Sequence, residues 1–156
     1  MVRIGVISDT HGLLRPEALQ FLRGCDHIVH AGDIGDPRIL EALVQIAPVT
    51  AVRGNNDASP WAHAIPEVQT LQIGVVSLYV VHDIARIDID PATSGVRVVI
   101  SGHSHRPSIR DVGNVLYLNP GSAGRRRFKL PVAVAEVTVD GAAVTARVVD
   151  LFPVAE

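Results

Sequence analysis

Val2-Arg3-Ile4-Gly5-Val6-Ile7-Ser8-Asp9-Thr10-His11-Gly12 opens the chain. Val2 to Ile7 is a short β-branched run, the pattern of a buried strand. Asp9 and His11 follow at once, so polar side chains sit just past a strand's carboxyl end. Working outward, Arg15 to Arg23 reads as a helix. Pro16 suits its first turn, Leu14, Ala18 and Leu22 share a face, and Gly24 suits the C-terminal cap. His27 to Ala31 is a second strand. Asp36-Pro37 reads as the N-cap and first residue of a second helix, with Leu40, Leu43, Val44 and Ala47 on its apolar face until Pro48. Val49 to Val52 is a third strand. This alternation predicts a parallel sheet with covering helices.

The later sequence changes character. Val68 to Ile73 and Val75 to Val81 read as a hairpin turning near Gly74. Val96 to Ile100 and Val115 to Leu118 are further strands. Val132 to Val139 and Ala142 to Val149 flank Asp140-Gly141, a type I′ hairpin signal. The expectation is therefore α/β giving way to mostly antiparallel β, with two sheets packed face to face and helices outside. No repeat or linker divides the chain, so one domain over residues 1–156 is expected.

Bulk composition narrows the function classes. A chain of 156 residues, 47% hydrophobic and 19% charged, can bury a core of its own. The net charge of −2 supplies no global attraction to nucleic acid or anionic membrane. Cys25 is the only cysteine, which excludes an internal disulfide and a thiolate zinc cluster. The N-terminus lacks a signal-peptide pattern and no apolar run is long enough to span a bilayer, so a cytoplasmic location is expected.

Four more polar clusters follow predicted strands: Gly32-Asp33, Gly54-Asn55-Asn56-Asp57, His82-Asp83 and Gly102-His103-Ser104-His105. Ligand sites of parallel α/β sheets form beyond the carboxyl ends of strands, so these clusters can converge. Carboxylate, amide oxygen and imidazole together suit Mn, Fe, Co, Ni or Zn, whereas Mg and Ca favour oxygen alone. Asp9 and His11 alternate and can point the same way from an extended segment, as can His103 and His105. Each cluster alone reads as a polar turn. Five in this order, each after a strand, read as a metal site.

The series Asp9-x-His11, Gly32-Asp33, Gly54-Asn55-x-Asp57, His82, Gly102-His103-x-His105 resembles the calcineurin-like metallophosphoesterases. With Asn119-Pro120-Gly121-Ser122 and the short chain, it is similar to their compact prokaryotic phosphodiesterase branch. The resemblance implies a four-layer αββα double β-sandwich. It implies two divalent metal ions per chain, manganese first among Mn, Ni, Fe, Co and Zn. Asp9, His11 and His105 would bind one, Asn55, His82 and His103 the other, and Asp33 would bridge them. Asp57 would orient a site group. The implied chemistry is hydrolysis of a small phosphodiester by in-line attack of a hydroxide shared by the metals. Asp33, Asn55, Asn56, Asp57 and His82 are the catalytic set on this reading.

Two positions depart from the family pattern. Asn56 stands where many members have a proton-donating His, which predicts slow turnover on poor leaving groups. Asp83 stands where Gly is usual, and a solvent-facing role is expected. The Arg125-Arg126-Arg127-Phe128-Lys129 run reads as a solvated loop, a nucleic-acid patch of a nuclease or, fitting better, a contact to a substrate phosphate. Asn56 and Arg125 are the candidate substrate contacts, and nucleic acid is not the expected partner. Asn119 and Ser122 are expected to buttress the metal loops. Trp61 and His63 read as a lid or a surface plug, and Tyr79 and Tyr117 as core. Some relatives are scaffolds that have lost ligand-type residues, so a non-catalytic binding module is the alternative. The oligomeric state stays open.

Overall fold

The structure is a computed structural model that describes residues 1–153. The first half follows the expected alternation: β1 (Val2–Ile7), α1 (Pro16–Leu22), β2 (His27–His30), α2 (Pro37–Val44) and β3 (Val49–Ala51). After a 3-10 turn at Pro60–Ala64 come β4 (Val68–Ile73) and β5 (Val76–Val81). A second 3-10 turn at Ile84–Arg86 and α3 (Pro91–Ser94) lead to β6 (Val98–Ile100), β7 (Ser108–Val112) and β8 (Val115–Asn119). β9 (Ala133–Asp140) and β10 (Ala143–Asp150) complete the order.

Two five-stranded mixed sheets result. One runs β10-β9-β1-β2-β3 and the other β4-β5-β6-β8-β7. Period-2 alternation distributes each strand between two cores. Ile4 and Val6 of β1 and Val29 of β2 pack between the sheets against Leu78, Val80, Val98, Ile100, Leu116 and Leu118. Ile7 and Ile28 face the other way, onto Ala18 and Leu22 of α1 and Ile39 and Leu43 of α2. The outer face of the second sheet is covered more thinly: Tyr79, Val81, Val99 and Val115 pack with Val96, Ile87 and Ile89 from the connection between β5 and β6. The layers are helix, sheet, sheet and a short helical cover.

Four expectations are corrected. The second sheet is not mostly antiparallel, because β5, β6 and β8 are parallel neighbours. Each of their connections is long enough for a crossover, which a hairpin reading of the strand signals overlooks. β7 was not expected at all: every residue of Ser108–Val112 is exposed, so this edge strand carries no burial pattern. The last hairpin pairs Asp140 with Ala143, and only Gly141 of the central pair has positive φ (62°), as a type II′ turn requires. The expected type I′ pair is thus displaced by one residue. In α2, Ile39 and Leu43 are buried with Ala47 beyond the helix end, whereas Val44 is 55% exposed. Leu40, Leu43 and Ala47 of the predicted face do pack on the core, so the stripe at i, i+4, i+8 takes in Ile39 in place of Val44.

The architecture brings six parallel strand ends to one edge. Asp9, Asp33 and Asn55 follow β1, β2 and β3, while His82 and His103 follow β5 and β6 and Asn119 ends β8. Facing sheets therefore deliver residues from distant parts of the sequence to one locus.

Candidate metal centre

The backbone at this edge is locally strained. Asp9, His11, Asp33, His103 and His105 have φ of 55°, 46°, 55°, 70° and 62°. That left-handed conformation costs an L-residue about 1–2 kcal/mol. The surroundings hold it. Asp9 and His11 N–H donate to Gly32 and Asp33 C=O, both at 2.9 Å, extending the β1–β2 pairing beyond the strands. At Gly102, any Cβ would stand 2.7 Å from Asp9 Oδ2, so only glycine permits the approach.

Two carboxylates and three imidazoles converge here. Nε2 of His11, His82 and His105 lie 3.8, 3.8 and 3.5 Å from Asp9 Oδ1. Nε2 of His82 and His11 lie 3.2 and 3.6 Å from Asp33 Oδ2. The potential donor atoms form two groups, Asp9-His11-His105 and Asp9-Asp33-His82, each within 4.8 Å. Asp9 Oδ1, His82 Nε2 and His105 Nδ1 are buried with no hydrogen-bond partner among the described residues. A buried acceptor left unpaired costs about 1–3 kcal/mol. His82 Nδ1 sits 2.7 Å from Ala31 C=O and donates to it, which turns the Nε2 lone pair toward the carboxylates. Lone pairs aimed at one another fit a cation between them. The donor set therefore fits divalent metal.

The titration tendencies record the same crowding. Burial raises the Asp9 carboxyl, opposed chiefly by the charge of His82. Burial pushes against ionisation of Asp33 too, but the His82 contact and the Asn56 N–H prevail and hold it at about 2. Burial lowers His82, yet Asp33 and Asp9 bring it above its ordinary value. His105 is pulled to about 4 by burial first and by the Arg127 charge next.

Supporting contacts come largely from residues the sequence motifs did not single out. Ser8 Oγ donates to Asp9 Oδ2 at 2.8 Å, beside the His103 N–H at 3.1 Å. Gly32 N–H donates to His30 Nδ1 at 3.1 Å, leaving Nε2–H to donate to Thr10 Oγ1 at 3.0 Å, and Thr10 donates to Ile34 C=O. Burial holds His30 neutral, with a pKa of about 3. The one sequence signal for His30 was its place beside Ile28 on the helix-facing side of β2. Ser122 Oγ donates to Asp9 C=O at 3.0 Å and Asn119 Nδ2 to Gly102 C=O at 2.9 Å, the buttressing expected of both.

Other candidates lie further out. Asp57 is buried, and its carboxylate accepts from the N–H groups of Ile34, Gly35 and Gly54, joining two site loops. Asn56 faces Asp33. His103 and Asn55 are exposed, with His103 Nδ1 3.2 Å from Asn55 Oδ1 and Nε2 3.9 Å from Asp83 Oδ2. Asp83 thus faces a site residue as well as solvent, and its other oxygen accepts from Ala85 N–H. Asn55, His82 and His103 line a cleft of about 410 Å³ with Arg53 and Arg86. Arg125 is exposed; the arginine whose charge reaches His105 is Arg127. Trp61 packs on the helix-side core, His63 is exposed, Tyr79 is core and Tyr117 half-buried. No helix among the described residues is long and apolar enough to cross a membrane.

The calcineurin-like phosphoesterase superfamily domain matches residues 2–142. A probable metallophosphoesterase of Methanocaldococcus jannaschii is 41% identical over 128 residues, which cover 76% of this chain and 67% of that protein. Among solved structures, Vps29 of Chaetomium thermophilum superposes with a TM-score of 0.81 at 21% identity, covering 95% of this chain and 88% of that one. An archaeal phosphodiesterase superposes at 0.78 with 20% identity, covering 95% and 100%.

Proposed function

This chain belongs to the calcineurin-like phosphoesterase superfamily, and from that membership we propose that it is a binuclear metal-dependent phosphodiesterase. The observation that carries the reading is the pair of unpartnered buried atoms, Asp9 Oδ1 and His82 Nε2, 3.8 Å apart. Asp9, His11 and His105 would hold one ion, Asn55, His82 and His103 a second, with Asp33 between them. Bound divalent ions supply Lewis acidity and a hydrolytic nucleophile near neutral pH.

The protein's own part is positioning. Ser8 and the His103 N–H fix the Asp9 carboxylate, Asn56 fixes Asp33, and Ala31 fixes the His82 tautomer. Asp57 holds the loops bearing Asp33 and Asn55 in register. Fixed groups of this kind need not reorganise as charge develops on phosphorus. Asn56 cannot protonate a leaving group, so the reading favours esters of acidic alcohols. Preference for diesters agrees with the fold shared with the archaeal phosphodiesterase.

The test loads metal-stripped protein with manganese and compares an aryl phosphodiester with its monoester, using Asp33→Ala as control. Metal-dependent diester cleavage lost in the control is the expected result. Binding of two ions without turnover would favour the second reading, a protein-binding scaffold. That reading draws on the likeness to Vps29 and on Asn56 in place of an acid.

A further inference from the structure

The loop from Gly124 to Leu130 rises beside the metal centre. Its base is pinned: Ala123 N–H donates to Ser8 C=O at 3.0 Å and Ala133 N–H to Ser122 C=O at 2.9 Å. Gly124 packs against Asp9 C=O, where a Cβ would stand only 2.7 Å away. Arg15 donates to Gly124 C=O through Nε and Nη2 at 3.2 and 3.1 Å. At the tip, Leu130 N–H closes a turn onto Arg127 C=O at 3.1 Å, with Phe128 and Lys129 at its centre.

Phe128 is 93% exposed. A phenyl ring in water forgoes the roughly 1.5–3 kcal/mol that burial gives an apolar side chain. Its φ of 52° adds backbone cost rather than relief. Arg106 and Lys129 line a groove of about 530 Å³ with Phe128 and Leu130, and the exposed Arg125, Arg126 and Arg127 precede Phe128 in the same loop, Arg126 donating to Leu130 C=O at 3.2 Å. None of these five cations has an acidic partner among the described residues. The chain's net charge of −2 does not cancel this patch, because charges beyond roughly 8–10 Å are screened.

We infer that this groove binds single-stranded nucleic acid, with Phe128 stacking on a base and the surrounding cations meeting backbone phosphates. Cations interleaved with an exposed aromatic are the chemistry of strand binding without sequence preference. The loop that bears Phe128 is also anchored on Ser8 and Asp9, beside a centre proposed to cut phosphodiesters, the linkage that such a strand repeats. An acidic peptide would satisfy the cations but leave the ring without a flat partner. The cleavage part of the inference rests on the phosphodiesterase reading, whereas binding does not.

The test measures anisotropy of a labelled ten-nucleotide oligothymidine on metal-stripped protein, then its cleavage with manganese. Phe128→Ala should weaken binding by about tenfold, within the range for one lost stack. Arg106→Ala should weaken it and flatten its salt dependence. Hydrolysis of a small aryl diester by Phe128→Ala should match the parent. Phe128-dependent binding without any diester hydrolysis would sustain the groove and sink the enzyme reading. Aryl diester hydrolysis with no oligonucleotide binding would overturn the groove. So would an acidic peptide binding as tightly as the oligonucleotide, or equal losses on both substrates in Phe128→Ala.

Discussion

Asn56 donates twice to Asp33: its backbone N–H to Oδ1 at 2.9 Å and its side-chain amide to Oδ2 at 3.2 Å. The residue at the expected acid position therefore acts on a candidate metal ligand. Asn56→His restores a titratable group but gives up one of these bonds. The ratio of alkyl to aryl diester hydrolysis should rise at least about tenfold, part of the range for acid catalysis. An unchanged ratio would show that the acid deficit does not limit the reaction.

Asp57 is the joint between two loops. Removing its carboxylate strands the N–H groups of Ile34, Gly35 and Gly54. Asp57→Ala should cost about 3–5 kcal/mol, as expected when a buried charged hydrogen-bonding group is lost. Urea unfolding of the metal-free protein measures this. A loss below about 1 kcal/mol would mean that water replaces the carboxylate.

Asp9 combines a raised carboxyl with an unpartnered oxygen. Asp9→Asn keeps an acceptor for Ser8 and removes a charge beside Asp33. The metal-free variant should melt at or above the parent temperature, while the rise in melting temperature with manganese should vanish. In the parent, ligand at a hundred times its dissociation constant adds about 2.7 kcal/mol. A full manganese response in the variant would remove Asp9 from the ligand set.

His30 makes stability depend on pH. Its folded pKa is about 3, below the ordinary 6.5. Between those values the unfolded chain binds the extra proton, so stability is full above 6.5 and falls as pH drops toward 3. Asp33, held at about 2 against 3.8, adds a second loss only below about pH 4. His105, held at about 4, adds a loss over the same window, so His30→Gln should make the metal-free stability curve shallower between pH 6.5 and 4 without levelling it. An unaltered slope would assign it to another group.

The face of α2 gives a paired test. Leu43 is fully buried and Val44 is 55% exposed. Leu43→Ala should cost about 2–5 kcal/mol and Val44→Ala under about 0.5. Similar losses would restore the face that the sequence predicted.

The sequence by itself determined the elements that local patterns specify. The β-branched runs at Val2–Ile7 and Val76–Val81, the Asp36-Pro37 helix start and the places, though not every type, of the glycine turns needed no distant information. It also placed Asp9, Asp33, Asn55, His82 and His103 after strands, because strand ends are local events. Only the tertiary structure decided what these residues do together. The parallel pairing of β5, β6 and β8 depends on crossovers, and β7 exists through pairing with β8 alone. The left-handed backbone at Asp9 and His105 persists because packing between the sheets offsets its cost. The turn of Asn56 onto Asp33 likewise joins groups that meet only when β2 and β3 lie side by side. Periodicity reports which face a residue prefers; it carries no record of which distant atom will stand opposite.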